Sequence, residues 1–182
     1  MLPYWKMSSA ALPSAVEKRI GKGNNVAIIS RIQLYQQTEQ NVLSIRERLN
    51  FSDYPAFAGK AFMKIMTHAQ ANGWIFSGEP FACFHNTDLE DLDVEVGFPF
   101  AGPVAGDGDI SVAHTIPARA IAAGIFLGPY EETDILLTAI YQWMNLNGFT
   151  QSGPIFHYFM NDESSCLRSE LLTRIVIPVK ST

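Results

Sequence analysis

The chain has 182 residues, of which 47% are apolar and only 17% charged, with a formal net charge of −5. This composition supplies a sizeable core and excludes a charged disordered tail, and no Lys/Arg cluster offers an electrostatic footprint for nucleic acid. No apolar run reaches bilayer-spanning length, so a soluble, cytoplasmic protein without direct nucleic-acid or membrane contact is expected.

Residues 1–24, "MLPYWKMSSAALPSAVEKRIGKGN", lack the basic start and apolar stretch of a signal peptide and read as a loosely attached extension, too short for a helix-turn-helix. A single domain is expected over 25–182. Its first half, about 25–101, opens with two β-rich segments, "VAIISRIQLYQ" and "VLSIRERLN". "DYPAFAGKAFMKIMTHAQANG" follows with Phe57, Ala61, Phe62, Ile65, Met66 and Ala69 at helical spacing. Ser52 or Asp53 suits the N-cap, and Gly73 the stop. Two strands, within "WIFSGEPFACFH" and "LDVEVGFPF", end the half, and "AGPVAGDGDI" reads as a linker.

The second half, about 109–180, runs in the same order. "DISVAHT" and "ARAIAAGIFLG" read as strands. "PYEETDILLTAIYQWMNLNG" reads as a helix, with Pro129, Glu131 and Glu132 suited to its first turn and Gly148 to its stop. "PIFHYFMN" and "LLTRIVIPVK" close the chain as strands. The stretch "NGWIFSGEPFACFHN" from Asn72 recurs as "NGFTQSGPIFHYFMN" from Asn147, 75 positions on (147 − 72), and seven of the fifteen residues match. The fold class expected is therefore α+β, a tandem pseudo-twofold repeat with antiparallel sheets and one main helix per half. Two copies can cover the sheet faces that one copy leaves bare.

Read in order, "DVEVGFPF", "IPARAIAAGIFLGPYEE", "YQWMNLNGFTQSGPIFHYFMND" and "LLTRIVIPV" resemble the GyrI-like superfamily, the gyrase-inhibitor-like domains that also serve as effector-binding modules of AraC- and MerR-type regulators. The resemblance covers roughly residues 24–180. It implies two SH2-like βαββ units, each with its first strand extended by a hairpin partner, enclosing a pocket at the pseudo-twofold. It also implies a ligand that is bulky, flat, hydrophobic and in many relatives cationic. Other relatives are sensory domains, a gyrase inhibitor, and hydrolases of cyclopropane-bearing genotoxins. In many of them the strand after the second helix carries a pocket-facing Glu, where "HYFMND" places His157. Histidine titrates nearer neutrality and can accept a proton or a hydrogen bond, but it attracts a cation less strongly than a carboxylate.

Strand alternation sorts the remaining site residues. Val94, Val96, Phe98 and Phe100 share one face, and Asp93, Glu95, Gly97 and Pro99 the other. In the last strand Thr173, Ile175, Ile177 and Val179 form the matching apolar face, and Arg174 corresponds to Glu95. With the apolar faces under the helices, Glu95 and Arg174 face solvent, or the pocket, or each other. If His157 faces the pocket, Ile155 and Phe159 line it too, and the counterparts of His157 and Phe159 are Ala82 and Phe84. An aromatic wall with one or two polar groups is what a flat ligand needs.

The candidate ligand-binding set is thus Glu95, His157, Phe159, Phe84, Ile155 and Arg174. Cys83 and Cys166 read as reduced thiols without a neighbouring ligand, and His68, His85 and His114 as bland core or surface residues, so no metal and no cofactor are expected. The functional expectation is a stand-alone binding protein that senses or sequesters a hydrophobic or cationic aromatic small molecule. The alternative is a hydrolase of electrophilic cyclopropane-type molecules with Glu95 or His157 as general base. A protein partner or homodimer is left open.

Overall fold

The computed structural model describes residues 27–114 and 120–182. The extension 1–24 and the Ile-Pro-Ala turn at 116–118 lie outside the described residues.

Among the described residues, ten strands and two main helices make an α+β fold. The strands are β1 (Ala27–Ile28), β2 (Gln33–Gln36), β3 (Asn41–Leu49), β4 (Phe81–Phe84), β5 (Leu92–Phe100), β6 (Ser111–His114), β7 (Ala120–Leu127), β8 (Phe149–Gln151), β9 (Ile155–Phe159) and β10 (Leu172–Ser181). The helices are α1 (Tyr54–Asn72) and α2 (Asp134–Leu146).

Both helices form where the periodicity places them. A 3₁₀ turn over Phe51–Asp53, capped by the Asn50 side chain, leads into α1, whose Pro55 sits in the first turn without losing an intrahelical bond. Gly73 ends it at φ 67°, a left-handed exit that glycine takes without steric cost. The expected caps give no side-chain cap bond to α1. The buried stripe of α1 is Ala58, Ala61, Ile65 and Ala69, small residues that let the helix lie close to the sheet, while Met66 turns outward. A 3₁₀ turn over Tyr130–Glu132 precedes α2, which buries Leu136, Ile140 and Met144.

The sheet runs β1-β7-β10-β9-β4-β5-β3-β6, all antiparallel, with β2 also on β7 and β8 on β10. This order reads the same from either edge, with β3, β5 and β4 answering to β7, β10 and β9. The registers agree as well: Val42 opposes Pro99 in β3–β5, and Ile121 opposes Pro178 in β7–β10. The symmetric seam is β4–β9, where Ala82 and His157 face each other directly.

One expectation is corrected. The two strands before each helix do not form a hairpin within their own half. Instead β1 and β2 pair with β7 of the second half, and β6 pairs with β3 of the first. Each half thereby supplies the outermost strand of the other, which shields an otherwise open edge. The 101–110 stretch is also more than a tether. It folds against α1, burying Ile110, pairing Asp109 with Lys64 and offering the Ala105 carbonyl to His68 Nε2.

Both helices lie on one face of the sheet. Helix α1 packs on β3 and β5 through Leu43, Ile45, Val96, Phe98 and Phe100, and α2 packs through Ala122, Phe126, Ile175, Ile177 and Val179. The other face carries a third cluster that includes Val42, Phe81, Cys83, Phe156 and Tyr158. Among the described residues no helix is long and apolar enough to cross a membrane.

Candidate functional site: an aromatic groove and the face behind it

The central strands β4 and β9 lie between the regions covered by the two helices. Strand alternation puts Ala82 and Phe84 of β4, with Ile155, His157 and Phe159 of β9, on the helix-bearing face. Phe84 packs against the clusters of both helices, Ile155 against that of α2 and Phe159 against that of α1. Phe84, His157 and Phe159 are only partly buried, so this seam remains a groove with an aromatic floor.

Each side of the groove repeats one contact. Tyr54 at the start of α1 leans on Phe84 with ring centroids 5.6 Å apart, and Tyr130 just before α2 meets Phe159 edge-on at 5.2 Å. Phe62 of α1 adds an edge contact to Phe159 at 6.1 Å. His157 lies 5.0 Å from the Phe84 ring, edge-on, at the position where the other half has only the Ala82 methyl. Tilted and edge-on contacts of this kind satisfy the ring quadrupoles.

Burial sets the electrostatics of the groove. Desolvation pushes the His157 imidazole down to about 4, so the ring is neutral near pH 7. Burial raises the Tyr54 phenol, with Tyr130 adding to it, and pushes Tyr130 up to about 12. Both phenols therefore stay protonated as hydrogen-bond donors. The Tyr130 hydroxyl donates to the Asn161 carbonyl at 3.2 Å. Beside Phe159 the groove opens into a depression of about 360 Å³ bordered by Glu79, Asn161 and Asp162.

A pH dependence follows. An unfolded histidine binds a proton near pH 6.5 and the folded His157 only near 4, so the unfolded chain holds more protons between these values. The stability this neutral ring contributes is present above about pH 6.5 and is lost as the pH falls toward 4. After discounting for partial solvent access the loss is roughly 2 kcal/mol. Urea midpoints measured from pH 7 to 4 should show a fall that flattens in His157→Phe.

Glu95 and Arg174 are not in this groove. Both lie on the opposite face, so the sheet separates them from His157, Phe84, Ile155 and Phe159. They also do not pair with each other. Arg174 stacks over Tyr158 at 4.7 Å and reaches Glu79 at 3.3 Å. Glu95 contacts His85 Nε2 at 3.0 Å. Burial alone would raise the Glu95 carboxyl, but hydrogen bonds from His85 and Ser44 and the charge of Arg46 more than offset this and leave it lowered.

The residues that the sequence reading misses are of two kinds. Tyr54, Phe62 and Tyr130 come to the groove from helical segments, and their only signal is an aromatic at a helix start or face. Cys83 and His85 read as isolated, yet the i, i+2 spacing on β4 puts them on one face, where Sγ and Nε2 are 3.6 Å apart. Both cysteines are free thiols.

The structure is an α+β domain with an aromatic seam over β4 and β9 and, beside Phe159, a depression of about 360 Å³. The chain belongs to the GyrI-like family: the profile of the GyrI-like small molecule binding domain matches residues 31–180. Among solved structures it is similar to the EcmrR C-terminal domain, at 20% identity over 85% of this chain and 100% of that one, with a TM-score of 0.74. It is equally similar in fold to EcmrR in a DNA complex, at 21% identity and a TM-score of 0.74 over 84% of this chain, but spans only 58% of that chain. A hydrolase from Listeria innocua aligns at 12% identity over 85% of this chain and 94% of that one, with a TM-score of 0.63. SAV2435 bound to tetraphenylphosphonium aligns at 13% identity over 83% and 94%, with a TM-score of 0.58. At these identities the likeness is one of fold. No curated protein matches the chain in sequence.

Proposed function

We propose that this domain binds a flat, hydrophobic, cationic small molecule in the groove over β4 and β9, as a sensor or sequestering module. The observation that carries the reading is the pair of Tyr–Phe contacts, Tyr54–Phe84 and Tyr130–Phe159, flanking the partly buried, neutral His157. Aromatic faces attract a delocalised cation without a full counter-charge, and a desolvated cation–π contact is worth about 2 kcal/mol. The tetraphenylphosphonium bound by the structural relative SAV2435 is a lipophilic aromatic cation, tetrahedral rather than flat, and serves as a probe of the cation–aromatic part of this reading.

The hydrolase reading is less well supported by the side chains. A general base works best with a pKa near the working pH. His157 is held near 4, and the Glu95 carboxyl is lowered while engaged with His85, so both are weak bases at neutrality. Titration with a panel of flat cationic dyes, on protein shown to be folded by circular dichroism, tests the binding reading. Saturable one-to-one binding of at least one dye is expected. No saturable binding to any of them, or turnover of a cyclopropane-bearing substrate that Glu95→Gln and His157→Ala both abolish, would replace it.

A further inference from the structure

On the face of the sheet away from the groove, Cys83, His85 and Glu95 bring three ligand atoms to one point. Cys83 and His85 stand two apart on β4, and Glu95 is the cross-strand partner of Cys83 on β5. Sγ to Nε2 is 3.6 Å, Nε2 to Oε2 is 3.0 Å, and all three atoms lie within 4.8 Å of one another. Both contacts of His85 run through the same nitrogen. A nucleophile–base–acid relay needs the two different ring nitrogens, so this is not one.

We propose that these three side chains form a binding site for a transition-metal ion of the zinc type. Tetrahedral zinc, with bonds of about 2.3 Å to sulfur and about 2.0 Å to nitrogen and oxygen, sets its ligand atoms roughly 3.3–3.6 Å apart. The Cys83–His85 spacing already matches this, the His85–Glu95 contact opens by a few tenths of an ångström, and Glu95, within 4.8 Å of Cys83, closes on it by up to about 1.3 Å. A thiolate, an imidazole and a carboxylate together select a borderline-soft ion over magnesium or calcium.

The surroundings fit the site. The Ser44 hydroxyl donates to Glu95 and orients it, the role such outer contacts play around metal ligands. Arg46, the nearby cation, is held by Asp93 through two bonds of 2.6 and 2.7 Å, which offsets its charge. A small cleft of about 110 Å³, bordered by His114 and Pro154, opens beside the three residues and leaves a fourth position for water. Side-chain exposures of 22% for His85 and 16% for Glu95 give the ion a path from solvent. On binding, the thiol proton leaves to solvent and Nε2, the nitrogen that faces both other ligands, coordinates the ion. Because ligation releases the thiol proton, affinity increases with pH.

The site is independent of the groove reading and is tested separately. Cobalt(II) added to the reduced, untagged chain at mildly alkaline pH should give one equivalent of thiolate-to-cobalt charge-transfer absorption, displaced by zinc. Cys83→Ser should abolish the band, His85→Gln and Glu95→Gln should each weaken binding at least about tenfold, and Cys166→Ser should leave it intact. If Cys83→Ser fails to fold, the other two variants decide. Absence of the band, its loss in Cys166→Ser, or its survival at full affinity in both His85→Gln and Glu95→Gln would overturn the proposal. Dye binding in the groove should persist throughout, so failure of one reading does not count against the other.

Discussion

Replacing His157 with glutamate is expected to tighten binding of a lipophilic cation by roughly 10- to 30-fold, or about 1–2 kcal/mol, while leaving a neutral ligand of the same shape unaffected or weakened. The neutral imidazole at the centre of the groove contributes shape and a hydrogen-bond partner but no charge near pH 7. A carboxylate there sits edge-on to Phe84 in a desolvated setting, where attraction to a cation is screened far less than in water. The free variant should be less stable, because the new carboxyl is desolvated and its folded-state pKa raised. That penalty is absent below the unfolded carboxyl pKa and grows as pH rises through the raised one, so His157→Glu costs most stability where the ligand gains most. Isothermal titration with a phosphonium cation and an uncharged aromatic of similar size separates the two effects.

The second large effect is structural. Gly97→Ala is expected to destabilise the domain by about 3 kcal/mol, at the upper end of overpacking costs. A methyl at this position of β5 would stand 2.5 Å from the Leu43 carbonyl oxygen, 2.9 Å from Phe81 Cζ and 3.0 Å from Ser44 Cβ. The first of these is backbone in the neighbouring strand β3, and it cannot swing aside as a side-chain tip can. Gly124→Ala is the useful contrast, since its methyl would meet first the Leu136 Cδ1 atom, a side-chain end that can rotate. Urea denaturation of both variants should show the larger shift in midpoint for Gly97→Ala, with an unchanged slope.

The expectations from the sequence succeed where the physics is local. The 3.6-residue spacing and the Asn-Gly stops at Gly73 and Gly148 mark both helices, because glycine alone takes those exits without strain. Alternation along β5 and β10 separates the faces, and it puts Glu95 and Arg174 away from the helices while leaving open whether a pocket lies there. What lies beyond local signals is partner choice. The short strands β1, β2 and β6 carry no pattern that says which half they join, and exchange between halves follows only from the assembled sheet. Tyr54, Phe62 and Tyr130 likewise reach the groove through helix placement. The spacing of Cys83 and His85 is legible as a shared strand face, but the arrival of Glu95 beside them depends on the register of β4 on β5. The contrast between Ala82 and His157 gains meaning from pairing: the two residues oppose each other at the symmetric seam, so one half fills a position that the other leaves small.

The most direct test of the groove compares tetraphenylphosphonium binding to the parent chain, Phe159→Ala and Glu95→Gln by calorimetric titration. Saturable binding to the parent, weakened about tenfold or more in Phe159→Ala and unchanged in Glu95→Gln, is the predicted result. Binding that is insensitive to Phe159→Ala yet lost in Glu95→Gln would place the ligand on the opposite face and contradict the groove as the binding site.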